Sequence, residues 1–216
     1  APQPDPANPA TNPRPLDLGQ RRTGRRLPRR DRIGVDGGRA SGLGRAVETN
    51  QTGSGLFFGK YTGSSIEVRC SDDAFSFYVG SDYANTIASY PNNSWHHVMV
   101  VRDSSDAITF YVNGASDTNT SLTKSGTLTL AGLISSTYGY IGLSDEYAVW
   151  DSDQSSNIAE IYNGGIPANL DPLAPIGWWR MGDDDSGSGT TITDQGSGAN
   201  HATIAGNATY STQTPE

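Results

Sequence analysis

Hydrophobic and polar residues alternate along much of the chain after residue 50, and the clearest pattern lies at 95–115. The runs 96–102 and 108–112 are strand-like: the first is rich in β-branched residues and the second alternates strictly. The polar cluster 103–106 between them is typical of a turn that hydrogen bonds its own backbone. The Asn113-Gly114 pair then favours a second tight turn. This segment predicts a hairpin that closes through local contacts.

Further runs of the same kind recur between turn residues. They lie at 55–59, 65–69, 74–80, 83–90, 122–130, 138–143, 146–150, 177–182, 190–193 and 201–204. One helix interrupts them, because Ile158, Ile161 and Tyr162 share a helical face that capping residues precede and Gly164-Gly165 ends. Strands at this spacing predict an all-β fold, an antiparallel sandwich or jelly roll, with one short helix.

The first 50 residues have a different composition from the rest. They are rich in proline, then arginine, then glycine, and no aromatic residue precedes Phe57. Ten arginines against four aspartates give residues 1–46 a net charge of +6, which leaves −14 for residues 47–216 out of a total of −8. We predict an extended arm over 1–50, a sandwich over 51–182, and a C-terminal loop and strand segment over 183–216 that packs on the sandwich.

Three interpretations of the arm stay open. It docks on partners or is disordered, it binds nucleic acid through phosphate contacts, or its biased composition is a reading-frame artefact upstream of about Thr49. Nucleic acid is not an expected partner, because the arm lacks aromatic residues for base stacking and the body is acidic. No run approaches the roughly 20 apolar residues of a membrane span. Cys70 is the only cysteine and is expected to be buried.

The hairpin W-H-H-V-M-V-V-R-D…I-T-F-Y-V-N-G-A and the later Y-I-G-L-S-D-E-Y-A-V-W-D resemble laminin G-like domains of the concanavalin A-like lectin/glucanase superfamily, over roughly residues 50–165. The segment G-W-W-R-M-G…T-D-Q-G-S-G-A-N-H resembles a tail of laminin G-like structural proteins from tailed bacteriophages. The arginine-rich stretch stands where the family has its early strands. The resemblance implies a two-sheet antiparallel jelly-roll sandwich of the concanavalin A-like type, but no single activity.

Catalysis is not expected. The glycosidases of this superfamily use two glutamates on one face of a strand, and no such pair is found here. Glu67 is alone on its strand, Glu160 lies on the helix, and the adjacent Asp145 and Glu146 are predicted to point to opposite faces.

Two kinds of binding site are conceivable. Tyr83, Tyr90 and Tyr138 lie near turns, where aromatic rings and polar loops could bind a glycan. Calcium prefers several oxygen ligands, and Asp183 and Asp185 lie in a dense acidic, glycine-rich stretch that offers them. Asp145 and Asp151 lie at turns, where family members sometimes hold this ion. Solvated acidic turns are the alternative interpretation of these aspartates.

Two functional classes follow. The first is a non-catalytic virion protein, such as a capsid decoration, head-fibre or tail-associated module, whose arm binds other virion subunits and whose body is exposed for adhesion. The second is a carbohydrate-binding lectin or adhesin, with or without calcium. Expected partners are therefore virion subunits and host-surface glycans, in an oligomeric assembly. The expected location is the particle surface or, for the lectin class, the secreted or cell-surface space.

Overall fold

The computed structural model describes residues 16–17, 33–34, 47–49, 55–59, 66–71, 73–118, 121–126, 128–130, 140–183 and 185–215. The strands are β1 (Leu16–Asp17), β2 (Ile33–Gly34), β3 (Val47–Thr49), β4 (Gly55–Gly59), β5 (Ile66–Ser71), β6 (Ala74–Val79), β7 (Asp82–Asn85), β8 (Trp95–His96), β9 (Val98–Arg102), β10 (Ala107–Val112), β11 (Ala115–Ser116), β12 (Leu122–Thr123), β13 (Thr129–Leu130), β14 (Gly142–Ser144), β15 (Tyr147–Val149), β16 (Gly177–Trp179), β17 (Thr191–Ile192), β18 (Ala202–Thr203) and β19 (Thr209–Tyr210). Helix α1 (Ile158–Tyr162) lies between the 3-10 turns Ser155–Asn157 and Asn163–Gly165, and a third 3-10 turn is Asp171–Leu173.

The strands form antiparallel sheets. One contains β4, β5, β6 and β7 in that order, and another contains β9, β10, β11 and β12. A third has the order β19-β1-β14-β3-β8, and shorter pairs join β2 to β13, β15 to β16 and β17 to β18. The all-β fold with antiparallel sheets and one short helix is confirmed.

The predicted hairpin forms as its sequence indicates. Strands β9 and β10 pair from Val98↔Val112 to Arg102↔Ile108. The Asp103 carboxylate accepts hydrogen bonds from the backbone of Ser105 and Ala107, at 2.8 and 3.0 Å, so it shapes the turn between the strands.

Strand β9 is buried on both faces, which explains its unbroken apolar sequence. Val98 and Val100 join the main core, with residues such as Phe58, Val68, Phe77, Phe110, Tyr147 and Trp179. Met99 and Val101 join a second cluster with Ala148, Trp150, Ile158, Ile161, Leu170 and Trp178. The sheet therefore has the sandwich core on one side and the α1 segment on the other.

Helix α1 is as short as predicted and lies on this second cluster. Ile158 and Ile161 are its buried residues, and the helix ends at Asn163, whose φ of 45° is left-handed. At the start of the segment, the Asp153 side chain accepts a hydrogen bond from the Ser155 backbone at 2.9 Å.

Three short strands fall within the predicted arm, and each pairs with a strand of the body. Strand β1 pairs with β14 and β19, β2 with β13, and β3 with β14 and β8. In the predicted C-terminal segment, Ile192 is 3% exposed and belongs to the main core. The domain boundaries at residues 50 and 182 stay predictions.

Candidate functional site

Two tyrosines lie side by side on the face of the β4–β7 sheet that points away from the core. Tyr78 of β6 is directly opposite Tyr83 of β7, and their rings stack at 5.5 Å with an interplanar angle of 27°. The neighbours Phe77 and Val79 are buried, so strict alternation turns Tyr78 outward. Tyr83 is 51% exposed, which leaves much of its side chain open to solvent.

A charged pair extends this row across the sheet. Glu67 of β5 lies opposite Tyr78, and the Arg69 guanidinium lies 4.4 Å from the centre of the Tyr78 ring. Arg69 also donates to the Glu67 carboxylate from Nε at 2.9 Å and from Nη2 at 2.5 Å. Both charges are largely buried, so the ion pair and the cation–π contact support Tyr78 from beneath. We call Glu67, Arg69, Tyr78 and Tyr83 the tyrosine face.

The same side of the sheet continues past the end of β7. Thr86 points inward, because its backbone donates to the Phe75 carbonyl and its hydroxyl accepts from the Phe75 backbone. Alternation along β7 places Tyr83 and Asn85 on the outer side, and Ile87 follows in the bend after the strand. Ile87 is 72% exposed and Asn85 is half-buried.

Asp117 fixes the loop that carries Ile87. Its carboxylate accepts hydrogen bonds from the backbone of Ile87 at 2.7 Å and Ala88 at 3.0 Å, and from the Tyr90 hydroxyl at 2.5 Å. Burial alone would raise the pKa of Asp117, but these three donors outweigh it and lower the pKa. The loop is thereby joined to the segment that follows β11.

The three predicted glycan-binding tyrosines have different positions. Tyr83 lies on the tyrosine face, whereas Tyr90 packs against Phe75 and His96 at ring distances of 5.4 Å and supports the loop from inside. Tyr138 lies outside the described residues. The sequence interpretation missed Tyr78, although the alternation of 74–80 contained the signal that would have found it.

A second group of interest is an acidic loop between β14 and β15. Asp145 and Glu146 are 0% and 3% exposed and lie between β14 and β15, so the prediction that they alternate across a strand rests on a strand that does not include them. Both are turn residues, and Glu146 has a left-handed φ of 56°, so strand alternation does not apply to them. The Glu146 carboxylate accepts hydrogen bonds from Trp178 Nε1 at 2.8 Å and Arg180 Nε at 3.0 Å.

Asp145 is in an unfavourable position for a charge. Burial raises its pKa well above the usual value, and the nearby carboxylates of Glu146 and Asp183 raise it further. Arg180 is the cation that counters them, and it also bonds Asp183 at 2.5 Å. One Asp145 oxygen accepts from the Glu146 backbone at 3.0 Å, and the other is buried without a hydrogen-bond partner.

The four predicted calcium ligands are only partly brought together. Asp145 and Asp183 interact, but Asp185 accepts hydrogen bonds from the Thr193 backbone and hydroxyl, at 2.8 and 2.5 Å. Asp151 is exposed at the turn before the α1 segment. Among the described residues, no three histidine, cysteine or acidic side chains are arranged to hold a metal ion. The structure thus assembles no complete ligand set from these four, and calcium binding stays a prediction.

A small pocket separates the acidic loop from helix α1. Its apolar walls carry two titratable side chains, and it is lined by His97, Glu146, Ala148, Trp150, Ile161, Ala168 and Leu170. The pocket is small, with room for about one water molecule. It is too small for a sugar, so the tyrosine face is the better candidate for a ligand site.

Comparison with known proteins agrees with the all-β fold. Residues 45–157 match the Laminin_G_3 family, described as the concanavalin A-like lectin/glucanases superfamily. The chain belongs to this superfamily. The predicted laminin G-like resemblance is therefore confirmed at the level of the superfamily. No curated protein matches the chain.

Two solved structures illustrate the relationship. A candidate carbohydrate binding protein from Bacteroides ovatus is similar with a TM-score of 0.69 and 15% identity, over 97% of this chain and 62% of that one. This chain therefore spans less than two thirds of that protein's length. A heptameric SAP-like pentraxin from Limulus polyphemus gives a TM-score of 0.46 and 15% identity, over 72% of this chain and 84% of the pentraxin. At 15% identity the likeness to the Bacteroides ovatus protein shows the fold alone.

The described helices are short: none has the length and apolar character that crossing a bilayer requires.

Proposed function

We propose that this member of the superfamily is a carbohydrate-binding module of the lectin class, with the tyrosine face as its ligand site. The observation that carries the proposal is Tyr83, which is half-exposed and stacked on Tyr78, whose ring is contacted in turn by the Arg69 guanidinium of the Arg69–Glu67 pair. The apolar faces of sugar rings stack on aromatic rings held rigidly at a surface, and neighbouring polar groups orient the hydroxyls. Tyr83 is fixed by its strand and by Tyr78, so little conformational freedom is lost on binding.

The fold supports this proposal without deciding it. The Bacteroides ovatus protein with the same fold is itself described as a candidate carbohydrate binding protein. Concanavalin A-like sandwiches carry several unrelated activities, so the function must rest on the side chains of the site. We retain the interpretation that the chain is not an enzyme. Within the described residues, Glu67 is held by Arg69, and Glu146 by Trp178 and Arg180.

A glycan array tests the proposal with the full chain. The wild-type protein should bind at least one class of glycan, Tyr83→Phe should retain most of that binding, and Tyr83→Ala should lose it. Ile166→Ala is the matched control, because Ile166 is an exposed large side chain, at 57%, outside the tyrosine face. If a well-folded wild-type protein binds no glycan, or Tyr83→Ala binds as well as wild type, the proposal fails.

The same array, repeated with a chelator, tests calcium. If an ion is bound, we propose that Asp145 and Asp183 contribute to it, because Asp145 has a buried oxygen without a hydrogen-bond partner and interacts with Asp183. Binding that survives the chelator would remove calcium from the proposal and leave the tyrosine face unaffected.

We propose a virion surface role as the second candidate function. The arginine-rich stretch, with a net charge of +6 over residues 1–46 against −14 for the rest, favours docking on other, acidic subunits while the body faces solvent. The module would then be a capsid decoration, head-fibre or tail-associated protein on an extracellular particle. A secreted or cell-surface lectin is the alternative location.

Replacing six arginines by glutamine tests this second candidate: Arg21, Arg22, Arg25, Arg26, Arg29 and Arg30. Deleting the whole arm is less informative, because β1, β2 and β3 pair with strands of the body. The substituted chain should keep its melting temperature and its glycan binding but lose incorporation into particles. Unchanged incorporation would exclude docking through the arginines.

A further inference from the structure

We infer that the ligand is a neutral, extended oligosaccharide that lies along β7, from Tyr83 past Asn85 to Ile87. This inference rests on the proposed function and adds the class and length of the ligand. It starts from exposure: among the described residues, the exposed large hydrophobic side chains are Tyr83, Ile87 and Ile166. Tyr83 belongs to β7, and Ile87 lies in the bend two residues after the end of that strand.

The spacing of these two side chains exceeds the width of one sugar ring. They are four residues apart, which in extended chain is about 13 Å at about 3.3 Å per residue. Asn85 lies between them in the chain and is half-buried, with its side-chain oxygen enclosed by the protein. A chain of several sugars is therefore needed to contact Tyr83 and Ile87 together.

Ile87 is exposed on a backbone that is held in place. The Asp117 carboxylate binds the amides of Ile87 and Ala88, and the Tyr90 amide donates to the Asp73 carbonyl at 2.7 Å. An apolar side chain presented on a fixed loop loses little entropy when a ligand covers it. Tyr83 and Ile87 are thus both preorganised, one by a strand and the other by hydrogen bonds to a carboxylate.

Charge selects against an anionic glycan. The positive charge of Arg69 is engaged by Glu67, and only 12% of its side chain is exposed. At the start of β7, Lys124 is paired with Asp82 at 2.7 Å. Residues 47–216 carry a net charge of −14, which repels sulfated or carboxylated chains. A neutral chain avoids this repulsion and can still use stacking on Tyr83 and apolar contact with Ile87.

Calorimetric titration of the full chain tests the inference. The probes are neutral β-1,4-linked oligosaccharides of glucose, xylose, mannose and N-acetylglucosamine with one to six units, and a heparin hexasaccharide as the charged probe. We expect affinity for the best neutral series to rise with length up to three or four units, and the heparin fragment to bind more weakly. Ile87→Ser should weaken the longer chains by about tenfold and leave the single sugar unchanged.

Two variants control this result. Asp117→Asn weakens the hydrogen bonds that hold the Ile87 loop, so it should reduce the increase in affinity with oligosaccharide length. Ile166→Ser should leave the affinity for every probe unchanged. If single sugars bind as tightly as longer chains, or heparin binds most tightly, the inference is wrong while Tyr83-dependent binding keeps the proposed function. If no glycan binds to the folded protein, the proposed function is itself wrong.

Discussion

At the scale of single residues, the molecule contains two aspartates whose surroundings shift their pKa in opposite directions. Asp145 is buried next to Glu146 and Asp183, so its pKa is raised, whereas three donors to Asp117 lower the pKa of that residue despite its burial. Folding therefore favours the protonated form of one side chain and the ionised form of the other.

Asp145→Asn should stabilise the protein in neutral and alkaline solution. An acid with a raised pKa contributes stability that is fully present below its usual pKa of 3.8 and is lost as the pH rises through the raised pKa. The amide keeps the shape without the charge, so the melting temperature at pH 8 should rise by about 2–4 °C, the shift for about 1 kcal/mol at this size. The gain should shrink toward pH 4.

Melting curves measure this effect. They are recorded in a chelating buffer, because a cation bound at Asp145 would reverse the sign of the expected change in melting temperature. Asp151→Asn is the control, because it removes an exposed carboxylate and should not change the melting temperature at either pH. A decrease for Asp145→Asn at pH 8 would mean that the charge is compensated in the folded protein.

Asp117→Asn should have the opposite effect. The lowered pKa means that the stability contributed by Asp117 is present above its usual pKa and is lost as the pH falls through the lowered value. At pH 7 the substitution should cost about 1–3 kcal/mol, because hydrogen bonds to a charged acceptor become neutral ones and one oxygen becomes a donor. Urea unfolding at pH 7 and pH 3 measures this loss of stability, with the larger loss expected at pH 7.

Tyr90→Phe should destabilise the protein less than Asp117→Asn, since the backbone amides of Ile87 and Ala88 still donate to the Asp117 carboxylate.

At the scale of elements, the hairpin and helix α1 support each other through one glycine. Gly114 has a φ of 79°, and a Cβ atom there would lie 2.6 Å from Cδ1 of Tyr162 on α1. Gly126 has a similar φ of 81° but open space around it. A side chain at either position would therefore adopt a left-handed backbone conformation, but only the one at position 114 would also collide with the Tyr162 ring.

Gly114→Ala should therefore be clearly more destabilising than Gly126→Ala. Both substitutions place a side chain in left-handed backbone, at a cost of about 1 kcal/mol. The first also pushes the Tyr162 ring away from the hairpin, so we expect a further 1–3 kcal/mol. Urea unfolding of both variants provides the measurement. Equal losses would indicate that Tyr162 moves freely and that α1 does not support the turn.

The sequence predicted these elements where local chemistry decides them. Strict alternation identified β6 and β10, Asp103 and Asn113-Gly114 identified turns, and an apolar triplet before Gly164 identified α1. Alternation failed for Asp145 and Glu146, because they lie in a turn that is buried by Trp178 and Arg180 from a distant segment. Such burial depends on long-range packing, which a local pattern does not contain.

The candidate site was predicted less completely for the same reason. Tyr83 could be found from the sequence because it lies next to a turn. Its partner Tyr78 and the Arg69–Glu67 pair are assembled by the register of β5, β6 and β7. The hydrogen bond from the Ile87 backbone to the Asp117 carboxylate joins residues that are 30 positions apart in the sequence, and no local sequence signal indicates it.

At the scale of the whole molecule, a single buried thiol reports on how the sandwich opens. Cys70 of β5 belongs to the main core, and its thiol donates to the Gly55 carbonyl of β4 at 3.6 Å. Burial raises the pKa of this thiol to about 12. At pH 8 the folded protein then holds only about one part in ten thousand as reactive thiolate, so labelling requires the β4–β5 pair to separate.

We expect native Cys70 to resist alkylation by iodoacetamide for hours and to react completely in guanidinium chloride. In low concentrations of urea, the logarithm of the labelling rate should increase with the slope of global unfolding, because β5 is at the centre of a shared core. Gly114→Ala changes a turn in a different sheet, yet it should accelerate labelling by the factor that its loss of global stability predicts. A rate unaffected by Gly114→Ala would mean that the β4–β7 sheet opens alone, and that the tyrosine face is carried by an independently unfolding part of the molecule.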